Sequence, residues 1–144
     1  MSKKLVVFGM GYVGIPAAAL FADVEGFNVV GIQRRSKRSG WKIDWLNEGK
    51  NPIGGDEPGL PELIKRVGDK KTFRVTDDVS ECSDADVVLI DVQTPTDEEG
   101  IPRYESLREV SKQIGTHMRK GVLVVIESTV APGTTENIVK PILE

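Results

Sequence analysis

A chain of 144 residues with one cysteine and one histidine leaves little room for two common kinds of site. A lone cysteine cannot close an internal disulfide, and no Cys/His cluster is present to ligate zinc. Cys82 sits among Glu81, Asp84 and Asp86, and negative neighbours raise a thiol's pKa, so an inert thiol is expected rather than a nucleophile. His117, three residues after Ile114 on a helical stretch, lies far from any strand's carboxyl end and is expected at a surface or boundary, not in catalysis. Long apolar runs are missing too. The longest, such as "GVLVVIE" and "DVVLIDV", fall well short of the ~18 residues that would span a bilayer. No signal peptide precedes the first strand, which makes the cytoplasm the expected location and a membrane an unexpected partner. Neither sign of charge is in large excess. A net charge of −3 gives no general attraction for nucleic acid.

What the chain does contain is ordinary globular composition, 39% hydrophobic and 28% charged, in a length that suits one domain over residues 1–144 with a single core. Short β-branched apolar runs alternate with segments of helical period, the pattern of βαβ units and a parallel sheet. Strands are predicted over residues 4–9, 28–33, 72–76, 86–92 and 121–127. Helices are predicted over 11–24, around Trp41, Trp45 and Leu46 with Gly49 as a cap, over 59–67 with Leu60, Leu63, Ile64 and Val67 inward, and over 104–119 with Leu107, Val110, Ile114 and Met118 inward. The fold class that follows is α/β, a three-layer doubly wound parallel sheet of Rossmann type in the order 3-2-1-4-5. A final amphipathic helix ordinarily leads to a sixth strand, so the sheet is expected to be truncated before it, leaving Ile138, Ile142 and Leu143 as an apolar patch.

Gly9, Gly11 and Gly14 spell G-x-G-x-x-G between the first strand and the first helix. In that context the first glycine permits a tight turn, the second lets a pyrophosphate approach the backbone, and the third lets helix and strand pack closely. The helix start then offers unpaired N–H groups and about half a positive charge to the phosphates. Dinucleotide binding is the expected function of this turn.

The end of the second strand breaks the usual pattern. A carboxylate there would hydrogen-bond the adenine-ribose 2′-hydroxyl of NAD and repel the extra phosphate of NADP. This chain has Gln33, followed by Arg34 and Arg35. The amide can still bond the hydroxyl but repels nothing, so relaxed discrimination between NAD and NADP is one reading. Solvated arginines beside an unaltered NAD preference is the other.

Two further loops follow strand ends, "DVQTPTDEEG" and "ESTVAPGTT". Ligands of open α/β sheets bind outside the carboxyl ends of strands, so both loops are expected at the same crevice as the glycine turn, with Thr94, Glu127, Ser128 and Thr129 offering polar groups. Acids 97–99 in the first loop read as a solvated turn.

Taken together, "GMGYVGIPAAALFA", "LNEGKNPIGGDEPGLPELI", "DVVLIDVQTPTDEEGIP" and "VLVVIESTVAPGTTENIVKPILE" resemble the UDP-glucose/GDP-mannose dehydrogenase family, in its N-terminal NAD-binding domain. The stretch "GIQRRSKRSGWKIDWLNEG" looks most like the branch that oxidises UDP-N-acetylhexosamines to uronic acids. The resemblance implies a four-electron oxidation of a sugar C6 alcohol to a carboxylate with two molecules of NAD. It also implies a cofactor site formed by Gly9, Met10, Gly11, Tyr12, Val13 and Gly14 at the pyrophosphate and by Gln33 at the ribose, to which the local charge adds Arg34. Arg38 and Lys42 are equal candidates for the basic residue that helps hold the ribose. Val92, Gln93, Thr94, Pro95, Glu127, Ser128 and Thr129 would lie on the nicotinamide side, where Thr129 resembles the threonine that positions a catalytic water. The family's nucleophilic cysteine, catalytic lysine and most nucleotide-sugar contacts match nothing in residues 1–144. The resemblance therefore implies an inactive isolated chain, a nucleotide-sugar partner bound through other domains, and a homo-oligomer formed by the longer protein. A stand-alone NAD(P)(H)-sensing module without catalysis is the alternative, but it would have no use for "ESTVAPGTT" near a nicotinamide.

Overall fold

The computed structural model describes residues 1–144. Five strands, β1 (Lys3–Phe8), β2 (Phe27–Ile32), β3 (Phe73–Thr76), β4 (Val87–Ile90) and β5 (Leu123–Ile126), form one sheet in the order β3-β2-β1-β4-β5. All neighbours are parallel, with Val6 of β1 opposite Val30 of β2 and Val88 of β4. The expected order holds. Chain order reverses between β1 and β4, and the crevice beyond their carboxyl ends is where such sheets take ligands.

Strict alternation along β1 sends Leu5 and Val7 to one face and Val6 and Phe8 to the other, all buried. Helices α1 (Gly14–Asp23), α2 (Trp41–Asn47) and α3 (Leu60–Asp69) cover the first face through Ile15, Ala18, Ala22, Ile43, Leu46, Ile64 and Val67. A 3-10 turn (Val79–Asp84), α4 (Glu105–His117) and α5 (Lys140–Leu143) cover the second. Each face is therefore closed by helices, which is why the strands read as continuous apolar runs instead of alternating with polar residues.

Differences from the sequence reading are local and have physical causes. α1 begins at Gly14, three residues later than expected, because residues 11–13 form the turn that leads into it. In α2 the buried pair is Ile43 and Leu46, while Trp41 and Trp45 sit on the neighbouring stripe, exposed and packed edge to face at 5.1 Å. The end of the chain also departs from expectation. A π-helical turn (Thr135–Val139) lays α5 against α4, and Gly115 lets the carbonyl of Ile142 come so close that a Cβ there would sit 3.0 Å from it. Ile138, Ile142 and Leu143 end up half-buried rather than as an open patch. The exposed edge is instead β5, whose Leu123 is 59% exposed.

Candidate cofactor site

The carboxyl end of β1 runs directly into the glycine turn, and the three glycines have three different reasons to be there. Gly9 has φ +104°, and a Cβ on it would lie 2.4 Å from the carbonyl oxygen of Asp91. A Cβ on Gly14 would lie 1.8 Å from the carbonyl oxygen of Gly9, inside any tolerable contact. Around Gly11 there is nothing within 4 Å, so its missing side chain leaves room for something outside the protein. The backbone N–H groups of Gly11, Tyr12, Val13 and Gly14 make no hydrogen bond within the chain. Four unpaired donors at the start of a ten-residue helix, beside open space, fit a pyrophosphate. Met10 is buried, with its sulfur packed on Gly31, whereas Tyr12 and Val13 point outward.

On the side of β2, Gln33 is delivered to the turn. Its Oε1 accepts the N–H of Met10 at 3.3 Å, and its Nε2 donates to Ser39 Oγ at 3.0 Å and to the Arg34 carbonyl at 3.3 Å. The hydroxyls of Ser36 and Ser39 are 2.9 Å apart, so the loop from Arg34 to Gly40 is held together from within. Lys42 Nζ donates to the Met10 carbonyl at 3.0 Å, which places Lys42 on the glycine turn. Arg38 stays exposed and offers its carbonyl to Trp41 Nε1. Arg35 pairs with Asp77 at 3.4 Å, while Arg34 has no acidic partner within 4 Å. The two basic candidates that the sequence left equal are thus distinguished by position.

The opposite wall is built from the loops after β4 and β5, which are fastened to each other. The N–H groups of Glu127 and Ser128 both reach the Ile90 carbonyl, at 3.0 and 3.1 Å. Ser128 Oγ donates to the Val92 carbonyl at 2.7 Å, and Thr94 Oγ1 donates to the Thr129 carbonyl at 2.6 Å. Thr94, Ser128 and Thr129 are therefore brought together, with Gln93, Pro95 and Glu127 exposed on the same two loops.

One residue at this junction escaped the sequence reading. Asp91 follows the last residue of β4, its N–H bonded to the Phe8 carbonyl at 2.8 Å, and both of its carboxylate oxygens are buried without a hydrogen-bond partner. Burial first, and then the hydrogen bond and negative charge of Glu127, push its carboxyl up to about 7. Two ionised carboxylates have no donor between them. A single proton between them creates the bond. The available signal was an acid closing a fully apolar strand beside a glycine turn.

Other side chains considered in the sequence stand apart. Cys82 is buried in the 3-10 turn with its Sγ 3.1 Å from the Val79 carbonyl, and burial pushes its thiol up. His117 is half-buried on α4, its Nδ1 2.9 Å from the Gln113 carbonyl. Asp97 accepts the N–H groups of Glu99 and Ile101 and so closes its loop on itself. No helix is long and apolar enough to cross a membrane.

The geometry agrees with what the chain is similar to. Residues 3–144 match the model of the UDP-glucose/GDP-mannose dehydrogenase family, NAD binding domain. A GDP-mannose 6-dehydrogenase from Pseudomonas savastanoi pv. phaseolicola is 37% identical over 98% of this chain and 32% of its own length. A UDP-N-acetyl-D-mannosamine dehydrogenase from Pyrococcus horikoshii is 35% identical over 95% of this chain and 31% of its own. Among solved structures, an NDP-N-acetyl-D-galactosaminuronic acid dehydrogenase from Methanosarcina mazei Go1 superposes with a TM-score of 0.94 at 48% identity, covering 99% of this chain and 31% of that one. The chain spans about a third of the length of these relatives.

Proposed function

The chain belongs to the UDP-glucose/GDP-mannose dehydrogenase family, whose NAD-binding domain it forms, and from that premise we propose that it serves a protein oxidising the C6 alcohol of a UDP-N-acetylhexosamine to a uronic acid. NAD is the cofactor of this domain, and family members are NAD-dependent sugar-nucleotide dehydrogenases. The observation that carries the reading is the set of four unpaired N–H groups over the open side of Gly11. The N-acetylated sugars in the names of two relatives support the hexosamine branch. A stand-alone sensing module is not favoured by this membership.

Bound NAD supplies a hydride acceptor, twice over for a four-electron oxidation. The chain's own residues bind and orient it. Gly11 to Gly14 offer N–H donors to the pyrophosphate, Gln33 and Lys42 fix the shape of the turn from the ribose side, and the cross-linked loops carrying Thr94, Ser128 and Thr129 form the wall toward the nicotinamide. Thr129, whose carbonyl holds Thr94 in place, is the residue we assign to positioning the water. Nucleotide-sugar binding and the covalent step belong to other domains of the longer protein, so residues 1–144 act as a cofactor-binding domain without turnover of their own. Oligomerisation is assigned to those domains as well. Calorimetric titration of the chain with NAD tests the site. Saturable binding is expected, together with no NADH formation when UDP-N-acetylglucosamine is added; absence of binding would sink the proposal for this chain.

A further inference from the structure

β4 is apolar from Val87 to Ile90, and the next residue is a carboxylic acid. Alternation puts the Asp91 side chain on the face of Leu89, the face that α1 covers. There its Cβ would lie 3.4 Å from a Cβ on Gly14, and its carbonyl is the atom that excludes a side chain from Gly9. Asp91 is thus packed directly under the turn whose free N–H groups fit a pyrophosphate.

The charges around it are few. β1 and the glycine turn bring no ionisable side chain against it, the loop after β5 brings Glu127, and the cation fixed to the turn, Lys42, is committed to the Met10 carbonyl. The start of α1 favours an anion electrostatically, but none of its N–H groups reaches either Asp91 oxygen. An ionised Asp91 would therefore be a buried, unpartnered negative charge beside another carboxylate and beneath an incoming dianion.

We propose that the cofactor site binds its dinucleotide with one proton held on the Asp91–Glu127 pair, Asp91 serving as a positioning residue whose O–H donates to Glu127 and keeps the floor of the glycine turn neutral. This inference rests on the reading of that turn as the NAD site, and it goes beyond it by adding a proton to the binding equilibrium. In the free chain, burial first and then the Glu127 carboxylate push the Asp91 carboxyl up to about 7. Two phosphate charges arriving nearby favour the protonated form further, so binding takes up a proton above that pH. The sign follows from linkage. NAD affinity is level below about pH 6 and falls as pH rises past 7, by up to about tenfold for each unit of additional shift.

The test is calorimetric titration of the 144-residue chain with NAD from about pH 6 to about pH 9, in pairs of buffers with different ionisation enthalpies to count protons. The unmodified chain should lose about fivefold or more in affinity over that range and take up a fraction of a proton on binding near pH 7.5. Asp91→Asn should show neither effect, because its amide is neutral throughout and can still donate to Glu127. Glu127→Gln, which removes the neighbouring charge at an exposed position, should move the fall in affinity to lower pH and serves if the Asn variant folds poorly. Strong NAD binding that is level with pH and draws no proton would overturn this inference while leaving the cofactor site intact. No NAD binding at any pH would overturn both.

Discussion

Gln33 accepts the backbone N–H of Met10, so the tip of the second strand is tied to the glycine turn by a side chain without charge. A carboxylate in the same place would serve that tie as well and would also repel a 2′-phosphate. The amide therefore keeps the architecture of the site while dropping its electrostatic filter, and Arg34 stands beside it with no acidic partner within reach.

The ribose end should consequently tolerate NADP. We expect NADP to bind the chain within about tenfold of NAD, the modest scale of a solvent-screened charge contact, and Gln33→Asp to weaken NADP selectively. Competition titrations on both proteins measure this. A chain that already rejects NADP strongly would show that Arg34 is solvent-facing only.

Lys42 and Arg38 should separate in the same assay. Lys42 donates to the Met10 carbonyl, a charge-assisted bond from a half-buried position. Lys42→Met should cost about 1–2 kcal/mol of NAD affinity by loosening the turn, and Arg38→Ala should cost less. A larger loss with Arg38→Ala would reverse the assignment.

The glycines offer a contrast between folding and binding. Gly14→Ala drives a methyl against the Gly9 carbonyl, and relief requires backbone movement, so a loss of about 2–4 kcal/mol in stability is expected from denaturant titration. Gly11→Ala meets open space. It should unfold like the unmodified chain and yet bind NAD poorly, because its methyl fills the approach to the free N–H groups.

Asp91 should also write itself into the stability curve. Its carboxyl is raised in the folded state from an ordinary value near 3.8 to about 7, so the folded chain holds this proton more tightly than the unfolded one. The contribution is complete below about pH 4, is lost progressively up to 7, and is level above. After discounting for solvent screening, Asp91→Asn should be the more stable protein at about pH 8 by roughly 1–2 kcal/mol, with the gap closing toward about pH 5. Thermal melts of the two proteins at matched pH check the sign.

Much of this was readable from the residues. Apolar runs of β-branched residues gave the five strands, and their order followed from a parallel sheet with a glycine turn after the first strand. The three glycines of the turn were likewise legible, because each job leaves a different steric mark. What the sequence hid depended on contacts between distant segments. Gln33 looked like an altered ribose contact, and only the fold shows it bracing Met10 and Ser39. Lys42 and Arg38 were equivalent until α2 turned one of them toward the turn. Asp91 carried no mark of its own inside the predicted strand 86–92, because its burial and its carboxylate neighbour come from residues 9, 14 and 127.

Cys82 lies wholly buried in the 3-10 turn, its thiol directed at the Val79 carbonyl. Thiol-directed dyes should pass it over while the chain is folded. That makes the protein addressable at one chosen place without first removing a native cysteine. A cysteine introduced at Tyr12, which is 75% exposed on the lip of the turn, would put a fluorophore within sight of the arriving dinucleotide and report its arrival as light.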